Sequence, residues 1–356
     1  METRDLSAHI PYSAGRGIEE VARDLGLDPD GLVKLSSNEN PFGPSPVAVE
    51  AIRTAAHQVH TYPKAAHTDL TEAIADRWDL PPAQIWLAAG GDGLIDYLGR
   101  TFLREGDRIL APDPGFAYYP MSARYHGAGV DQYRIEKASD FELSPEAVLD
   151  AYEGHRIVYV TTPHNPTGSE MRLQEVERLA DETDPNTLVV VDEAYGDFSA
   201  QPSARTLIDD REDLAILRTF SKAYGLAGLR LGYGIVPDAW SDAYERINTP
   251  FAVNALACEA GLAALTDEDH VERTVDTAGW AREYMHDELD AETWESGGNF
   301  VLAEVGDAET VAAETQQEGV IIRDCSSFGL PDCVRITCGT RDETRRAVET
   351  INEVLA

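Results

Sequence analysis

The stretch RTFSKAYGLAGLRLGYG, from Arg218 to Gly234, decides how the rest of the chain is interpreted. It continues a short apolar run, 215–220, that is typical of a buried strand. Lys222 follows at the point where this strand gives way to glycines. Burial disfavours a charged ammonium group, and enzymes use a neutral amine as a nucleophile toward carbonyl compounds. A lone lysine in a loop more often simply reaches solvent, so the interpretation of Lys222 depends on its companions.

The composition indicates a folded protein with an unusually acidic surface. The chain has 356 residues, of which 43% are hydrophobic, and it carries 64 acidic against 29 basic residues, for a net charge of −35. The acidic residues are spread along the chain, which argues against nucleic acid as a partner because phosphate binding needs a basic patch. Such a surface stays soluble in concentrated salt, where screening reduces the repulsion between carboxylates. The sequence therefore predicts a protein from a halophilic organism.

The chain carries no pattern for export, membrane insertion or metal binding. No apolar run approaches the roughly 18 residues that a membrane-spanning helix needs, and the first residues lack the apolar core of a signal peptide. The four cysteines, at positions 258, 325, 333 and 338, have neither CxxC spacing nor histidines at zinc-site spacing. We therefore expect no metal site and no membrane association, and we expect reduced thiols in the cytoplasm.

Short apolar runs alternate with amphipathic segments through the middle of the chain, which predicts an α/β fold. The predicted strands are apolar throughout, as in a mostly parallel sheet that is covered by helices on both faces. From about Thr266 the pattern changes to longer helices and looser strands, which indicates a smaller α+β domain. We predict an N-terminal segment, 1–35, that packs with the smaller domain, a large domain at 36–265 and a small domain at 266–356.

Polar side chains follow three consecutive predicted strands. Asn165 lies in the turn TTPHNPTG, Asp192 and Tyr195 lie in DEAYGDF, and Lys222 lies in the opening stretch. Each residue alone could serve only to hold a turn or cap a helix. Ligands of open α/β sheets bind at the carboxyl ends of the strands, so we expect these four residues to converge.

These motifs resemble the fold-type I aminotransferases that depend on pyridoxal 5'-phosphate, and the resemblance covers nearly the whole chain. The segment SKAYGLAGLRLGY is similar to the family signature around its cofactor-binding lysine. The resemblance implies that Lys222 binds the cofactor covalently and later moves the proton. It implies that Asp192 pairs with the ring nitrogen, that Asn165 and Tyr195 hydrogen-bond the ring's phenolic oxygen, and that Phe116 stacks on the ring.

A phosphate site is predicted at the start of a helix. Gly91 and Asp92 open that helix, where free N–H groups and the helix dipole favour an anion. Ser221 and Arg230 add a hydroxyl and a cation suited to phosphate. In the family a tyrosine of the neighbouring subunit reaches the same phosphate, and Tyr62 matches it, which implies a homodimer with shared sites. The residue after Asp92 is Gly93, where many relatives carry an acidic side chain.

The two ends of the chain resemble the histidinol-phosphate aminotransferases, in segments such as LSSNENPFGPSP and VRITCGT. With the acidic composition, this resemblance indicates a halophilic archaeal source. It implies a pyridoxal-phosphate-dependent transfer of an amino group between glutamate and imidazole-acetol phosphate in histidine biosynthesis. Such an enzyme must bind a carboxylate in one half-reaction and a phosphate in the other. The residues implied in substrate binding are Tyr12, Asn40, Arg323 and Arg335.

Alternative functions remain open at this point. Threonine-phosphate decarboxylase of cobamide synthesis is a close relative with a phosphorylated substrate, and the segment RDCSSFGL would suit it nearly as well. An aromatic aminotransferase is a further possibility, because ring-stacking pockets accept several side chains. A transcription regulator built on this fold would need a basic helix-turn-helix segment before the domain, and the sequence shows none.

Overall fold

The structure is a computed structural model that describes residues 1, 3, 6, 7, 9, 17–26, 28–64 and 67–356. Its strands are β1 Val33–Leu35, β2 Ile85–Ala88, β3 Arg108–Asp113, β4 Gly129–Arg134, β5 Ile157–Thr161, β6 Leu188–Asp192, β7 Leu214–Thr219, β8 Gly232–Ile235, β9 Glu292–Trp294, β10 Phe300–Glu304, β11 Val320–Asp324 and β12 Cys333–Thr337. Its α-helices are α1 Ile18–Leu25, α2 Pro46–Ala55, α3 Thr68–Trp78, α4 Gly90–Phe102, α5 Tyr118–Tyr125, α6 Pro145–Ala151, α7 Leu173–Glu182, α8 Ser241–Ile247, α9 Ala255–Ala264, α10 Glu268–Glu288, α11 Ala308–Gln317 and α12 Arg341–Leu355.

The larger sheet has seven strands in the order β2-β8-β7-β6-β5-β3-β4. The pairs from β4 through β7 are parallel, whereas β8 runs antiparallel to both of its neighbours. Every residue of β5, β6 and β7 is buried. Alternate residues of β6 enter two different hydrophobic clusters, with Val189 and Val191 in one and Leu188 and Val190 in the other. The apolar composition of these strands therefore follows from helices covering both faces of the sheet.

Strand β8 was not predicted, because its sequence GYGI lies inside the glycine-rich part of the opening stretch. Glycine is generally unfavourable in a strand interior and often marks a close approach of two backbones. That is the case here, since a Cβ added at Gly232 would lie 2.7 Å from the carbonyl carbon of Gly90. The glycine thus allows β8 to pack directly against the start of α4.

The smaller sheet has five strands in the order β1-β11-β12-β10-β9. Strand β1 pairs with β11 in parallel, and the other pairs are antiparallel. Most apolar residues of β10 and β12 pack in one hydrophobic cluster with residues of α10 and α12, whereas Leu302 and Cys333 belong to a cluster of the larger sheet. The N-terminal segment thus supplies one strand to the sheet formed by the last quarter of the chain. The domain boundaries at 35/36 and 265/266 remain our proposal.

The mostly parallel larger sheet, with helices on both faces, agrees with the α/β fold that the sequence predicts, and the smaller mixed sheet lies beside it. None of the described helices is long and apolar enough to cross a membrane. Within the same described residues, no group of three metal-binding side chains comes together.

Candidate active site

The carboxyl ends of β5, β6 and β7 bring three predicted residues to one edge of the larger sheet. These strands are neighbours and run parallel, so they end at the same edge. Asp192 is the last residue of β6. Asn165 is the fourth residue after the end of β5, and Lys222 is the third residue after the end of β7. The predicted grouping at the strand ends therefore follows from the topology of the sheet.

Asp192 is a buried carboxylate with hydrogen-bond donors on both oxygens. The Tyr119 hydroxyl donates to Oδ2 at 2.5 Å, and the backbone N–H of Ala194 donates to Oδ1 at 2.9 Å. Burial raises the pKa of Asp192 to about 6, although both hydrogen bonds act in the opposite direction. A buried carboxylate in this state favours a cationic N–H partner, which would offset the cost of its burial.

Tyr119 was not predicted as a site residue. Its ring stacks on Tyr159 with a centroid distance of 4.3 Å, and its hydroxyl lies 2.8 Å from the hydroxyl of Thr161. The ring of Phe116 meets Tyr119 edge-on at 5.5 Å. Phe116 lies two residues before α5, and Tyr119 is the second residue of that helix. No helical spacing in the sequence therefore links Tyr119 to Phe116.

Lys222 and Tyr195 lie side by side. The Lys222 ammonium nitrogen is 5.3 Å from the centroid of the Tyr195 ring, and it donates a long, 3.4 Å hydrogen bond to the carbonyl of Ser37. Tyr195 is buried, and its hydroxyl oxygen accepts a 3.0 Å hydrogen bond from Asn38 Nδ2. Asn38 was not predicted as a site residue, although it lies in the segment LSSNENPFGPSP.

The N-terminus of α4 faces Arg230. Gly90, the first residue of this helix, has φ +79, and a Cβ added to it would lie 2.5 Å from Arg230 Nη2. The same Nη2 forms a 3.2 Å ion pair with Asp92 in the first helical turn, next to Gly91. Ser221, which directly precedes Lys222, is buried, and its hydroxyl accepts a 3.0 Å hydrogen bond from the hydroxyl of Thr219. An arginine against the free N–H groups of a helix start is a suitable anion site.

Arg335 and Arg323 lie directly opposite each other on β12 and β11. Arg335 is buried, and it donates hydrogen bonds to Asn165 Oδ1 at 2.5 Å and to the carbonyl of Ser36 at 2.9 Å. Arg323 donates to the Ser327 hydroxyl at 3.0 Å. The Phe328 ring lies beside both guanidinium groups, at 5.9 and 5.7 Å. Two cations are thus held near the carboxyl edge of the larger sheet by the smaller sheet.

Two predicted residues have contacts of another kind. The Asn40 amide donates to the carbonyl of Ala223 at 2.8 Å and to the Thr274 hydroxyl at 3.1 Å, and so ties its loop to the residue after Lys222. Tyr62 is 82% exposed and stacks on Phe251 at 4.9 Å. Tyr12 lies outside the described residues.

His164 was also missed, although it directly precedes Asn165. The imidazole is fully buried, with Nε2 3.0 Å from the carbonyl of Pro114 and Nδ1 2.8 Å from the hydroxyl of Thr167. A carbonyl only accepts, so Nε2 carries the proton and Nδ1 accepts from Thr167. Burial lowers the pKa of His164 to about 4. The neutral ring thus joins the turn of Asn165 to the loop of Phe116.

A sequence profile of the family described as aminotransferase class I and II matches residues 30–351, so the chain belongs to this family. It is 64% identical over 355 residues to the histidinol-phosphate aminotransferase of Haloarcula marismortui, covering 100% of this chain and 99% of that protein. That relative comes from a halophilic archaeon. The predicted resemblance, and with it the prediction of an aminotransferase, is confirmed.

The fold is similar to that of two solved structures. The histidinol-phosphate aminotransferase of Sinorhizobium meliloti, solved in complex with pyridoxal-5'-phosphate, has a TM-score of 0.87 at 27% identity, covering 96% of this chain and 95% of that one. The L-threonine-O-3-phosphate decarboxylase of Porphyromonas gingivalis has a TM-score of 0.78 at 24% identity, covering 91% and 99%. At that identity the second likeness concerns the fold alone. The predicted fold is confirmed.

Proposed function

We propose that this chain is a histidinol-phosphate aminotransferase that uses pyridoxal 5'-phosphate. It transfers an amino group between L-glutamate and imidazole-acetol phosphate, giving 2-oxoglutarate and L-histidinol phosphate, in the biosynthesis of histidine. Identity of 64% over the full length of a relative with this name supports the substrate. The observation that carries the proposal is the position of Arg335, which reaches the Asn165 turn at the strand ends from the smaller sheet.

The residues present fit pyridoxal 5'-phosphate at both ends of that molecule. Asp192 offers a buried carboxylate, and burial raises its pKa because the ionised form is poorly solvated. A cationic N–H group such as a protonated ring nitrogen would stabilise that ionised form. At the other end, Arg230 and the first turn of α4 form a cradle that a Cβ at Gly90 would fill. Lys222 lies at the same edge of the sheet, and its side-chain amine can react with the aldehyde group of the cofactor. We therefore infer that this edge of the sheet is the cofactor site.

In the proposed mechanism each side chain has a separate task. Pyridoxal phosphate, when bound, withdraws electrons from the substrate carbon and carries the amino group between the two half-reactions. Asp192 would keep the ring nitrogen protonated, and Asn165 and Tyr195 would hydrogen-bond the phenolic oxygen. Lys222 would hold the aldehyde group of the cofactor through its amine, and the same amine would move the proton at the substrate carbon.

The phosphate and the ring face have their own contacts. Gly91, Asp92, Ser221 and Arg230 would hold the phosphate through backbone N–H groups, a hydroxyl and a guanidinium group. Phe116 would cover the ring, since the edge-on contact with Tyr119 fixes its orientation. Tyr62 would reach the phosphate of a second subunit, and its 82% exposure leaves the hydroxyl accessible to one. The proposed assembly is therefore a homodimer with shared sites.

Substrate binding would depend on the two paired arginines. Arg335 would bind the carboxylate of glutamate in one half-reaction and the phosphate of histidinol phosphate in the other, because a guanidinium group fits both anions in a bidentate manner. Arg323, opposite it on β11, would assist with the phosphate only. Asn40 would hold the N-terminal loop of the pocket, and Tyr12 is proposed to line that pocket. A cytoplasmic location is proposed from the four cysteines, which are all free thiols.

The decarboxylase alternative is not favoured, because full-length identity above 60% is to an aminotransferase. The test is an assay in molar potassium chloride of 2-oxoglutarate with L-histidinol phosphate, L-threonine phosphate or an aromatic amino acid. We expect glutamate to form fastest with histidinol phosphate, and no glutamate to form with the Lys222→Ala variant. Release of carbon dioxide from threonine phosphate without transfer from histidinol phosphate would overturn the proposal.

A further inference from the structure

We propose that Asn38 is a positioning residue that turns the hydroxyl proton of Tyr195 toward the bound cofactor. The inference rests on the proposed function, in which Tyr195 donates a hydrogen bond to the cofactor's phenolic oxygen. The motifs around Tyr195 and Lys222 give no indication of such a residue, because Asn38 lies 157 positions before Tyr195 in the sequence. The two meet because Asn38, in the loop after β1, contacts both Thr337 of β12 and Tyr195 after β6.

The direction of the hydrogen bonds follows from the groups that surround the Asn38 amide. The Thr337 hydroxyl oxygen accepts the backbone N–H of Asn38 at 2.9 Å. Its own proton is then available for Asn38 Oδ1, which lies 3.1 Å away. This leaves Nδ2 toward Tyr195, where it donates to the hydroxyl oxygen at 3.0 Å. Tyr195 thus accepts from Asn38, and its one proton is free to be donated elsewhere.

The backbone of Asn38 shows that this arrangement is imposed by its surroundings. Asn38 is 1% exposed and has φ +53, the left-handed conformation that residues other than glycine rarely adopt. Asparagine tolerates this conformation better than most residues. The strained turn is held by the contacts with Thr337 and by a 3.2 Å hydrogen bond from Asn299 Nδ2 to the Asn38 carbonyl. Strain of this kind persists where the surrounding structure enforces it, and it is often found at functional sites.

The position of Tyr195 gives the direction of its proton a chemical consequence. Its ring lies beside the Lys222 amine, at the edge of the sheet where the cofactor ring is proposed to lie. A hydroxyl that donates to the phenolic oxygen stabilises the ionised form of that oxygen. If Tyr195 instead donated to Asn38, it would present only lone pairs to the site and would oppose that form.

The experiment compares Asn38→Asp, Asn38→Gly and Tyr195→Phe in the holoenzyme, by titrating the pH-dependent absorbance band of the bound cofactor. An aspartate would draw the Tyr195 proton to its own carboxylate, so the midpoint should rise by about one pH unit, as in Tyr195→Phe. Asn38→Gly keeps the left-handed turn and adds no competing acceptor, so it should give a smaller rise. The dissociation constant of the cofactor, measured by protein fluorescence with each apoprotein, should follow the same order. It should be lowest for the wild type, higher for Asn38→Gly, and highest for Asn38→Asp and Tyr195→Phe.

The double variant Asn38→Asp with Tyr195→Phe separates positioning from charge. If Asn38 acts through Tyr195, the double variant should titrate like Tyr195→Phe alone. A further rise in the double variant, or an Asn38→Asp midpoint equal to that of the wild type, would overturn the inference. If Asn38→Asp does not fold, an unshifted midpoint in Asn38→Gly overturns it as well. Failure of the proposed function would be distinct, because the wild-type protein itself would then show no cofactor band.

Discussion

Arg335 donates a 2.5 Å hydrogen bond to Asn165, and so joins β12 of the smaller sheet to the turn that follows β5 of the larger one. The second guanidinium nitrogen donates to the carbonyl of Ser36, which follows β1. The arginine is therefore oriented before any substrate arrives, and less side-chain entropy is lost when an anion binds.

We expect Arg335→Ala to slow the half-reactions with glutamate and with histidinol phosphate, each by about a hundredfold, because a charge-assisted contact to the anion is lost in both. Arg323→Ala should slow only the half-reaction with histidinol phosphate. The measurement is the spectral change of the cofactor in each half-reaction, followed separately. Arg178→Ala, which removes an exposed arginine that pairs with Glu146, is the matched control and should change neither rate. Equal effects of Arg323→Ala on both substrates would show a structural role instead.

Asp192 and His164 should make opposite contributions to the pH dependence of stability in the apoprotein. The pKa of Asp192 is raised from 3.8 to about 6, so its contribution to the free energy of unfolding is lost as the pH rises through 6. The pKa of His164 is lowered from 6.5 to about 4, so its contribution is present above 6.5 and is lost as the pH falls toward 4. The two slopes therefore partly cancel between pH 5 and 7.

The Asp192→Asn apoprotein should lack the contribution of Asp192 to the free energy of unfolding, which decreases as the pH rises. Its free energy of unfolding should rise with pH more steeply than that of the wild-type apoprotein, by about 1 kcal/mol between pH 5 and 7. The measurement is urea unfolding of both proteins at constant molar salt. His164→Gln is the complementary variant, and its slope should change in the other direction. Parallel curves for Asp192→Asn and the wild type would contradict the raised pKa of Asp192.

The proposed homodimer with shared sites predicts complementation between two inactive variants. Lys222→Ala and Tyr62→Phe subunits, mixed and allowed to exchange, should regain activity, up to about one quarter of the wild-type value. The reason is that one of the two sites in each heterodimer would contain both Lys222 and Tyr62. The assay is amino transfer before and after mixing, with exchange verified by a size tag on one variant. No gain despite complete exchange would place the action of Tyr62 within its own subunit.

The net charge of −35 predicts a strong dependence of stability on salt. The Debye length falls from ~10 Å at 0.1 M to ~3 Å at 1 M ionic strength, so molar salt removes most of the repulsion between surface carboxylates. The melting temperature should rise steeply with potassium chloride. Replacing three exposed glutamates in and next to α11, Glu309, Glu314 and Glu318, by glutamine should reduce that dependence. A melting temperature that does not rise with salt would contradict the predicted adaptation.

The sequence predicted those parts of the fold and site that depend on local patterns. Strands β5 to β7 were recognisable because burial on both faces leaves them apolar, and Asp192 and Lys222 were recognisable because polar residues follow such strands. The contacts of Arg335 with Asn165 and of Asn38 with Tyr195 join residues 170 and 157 positions apart. No local periodicity records such pairs, so the contacts of Arg335 and of Asn38 required the structure.

The parallel pairing of β1 with β11 has a consequence for how the protein is made. Val33 pairs with Val320, so β1 leaves the ribosome long before β11, its partner in the smaller sheet. A contact this distant in sequence forms late, because a long loop must close before the contact is gained. During translation the larger sheet can be completed with its own strands, whereas the smaller sheet cannot. Arg335, which lies on β12, can therefore reach Asn165 only after all strands of the larger sheet have been synthesised.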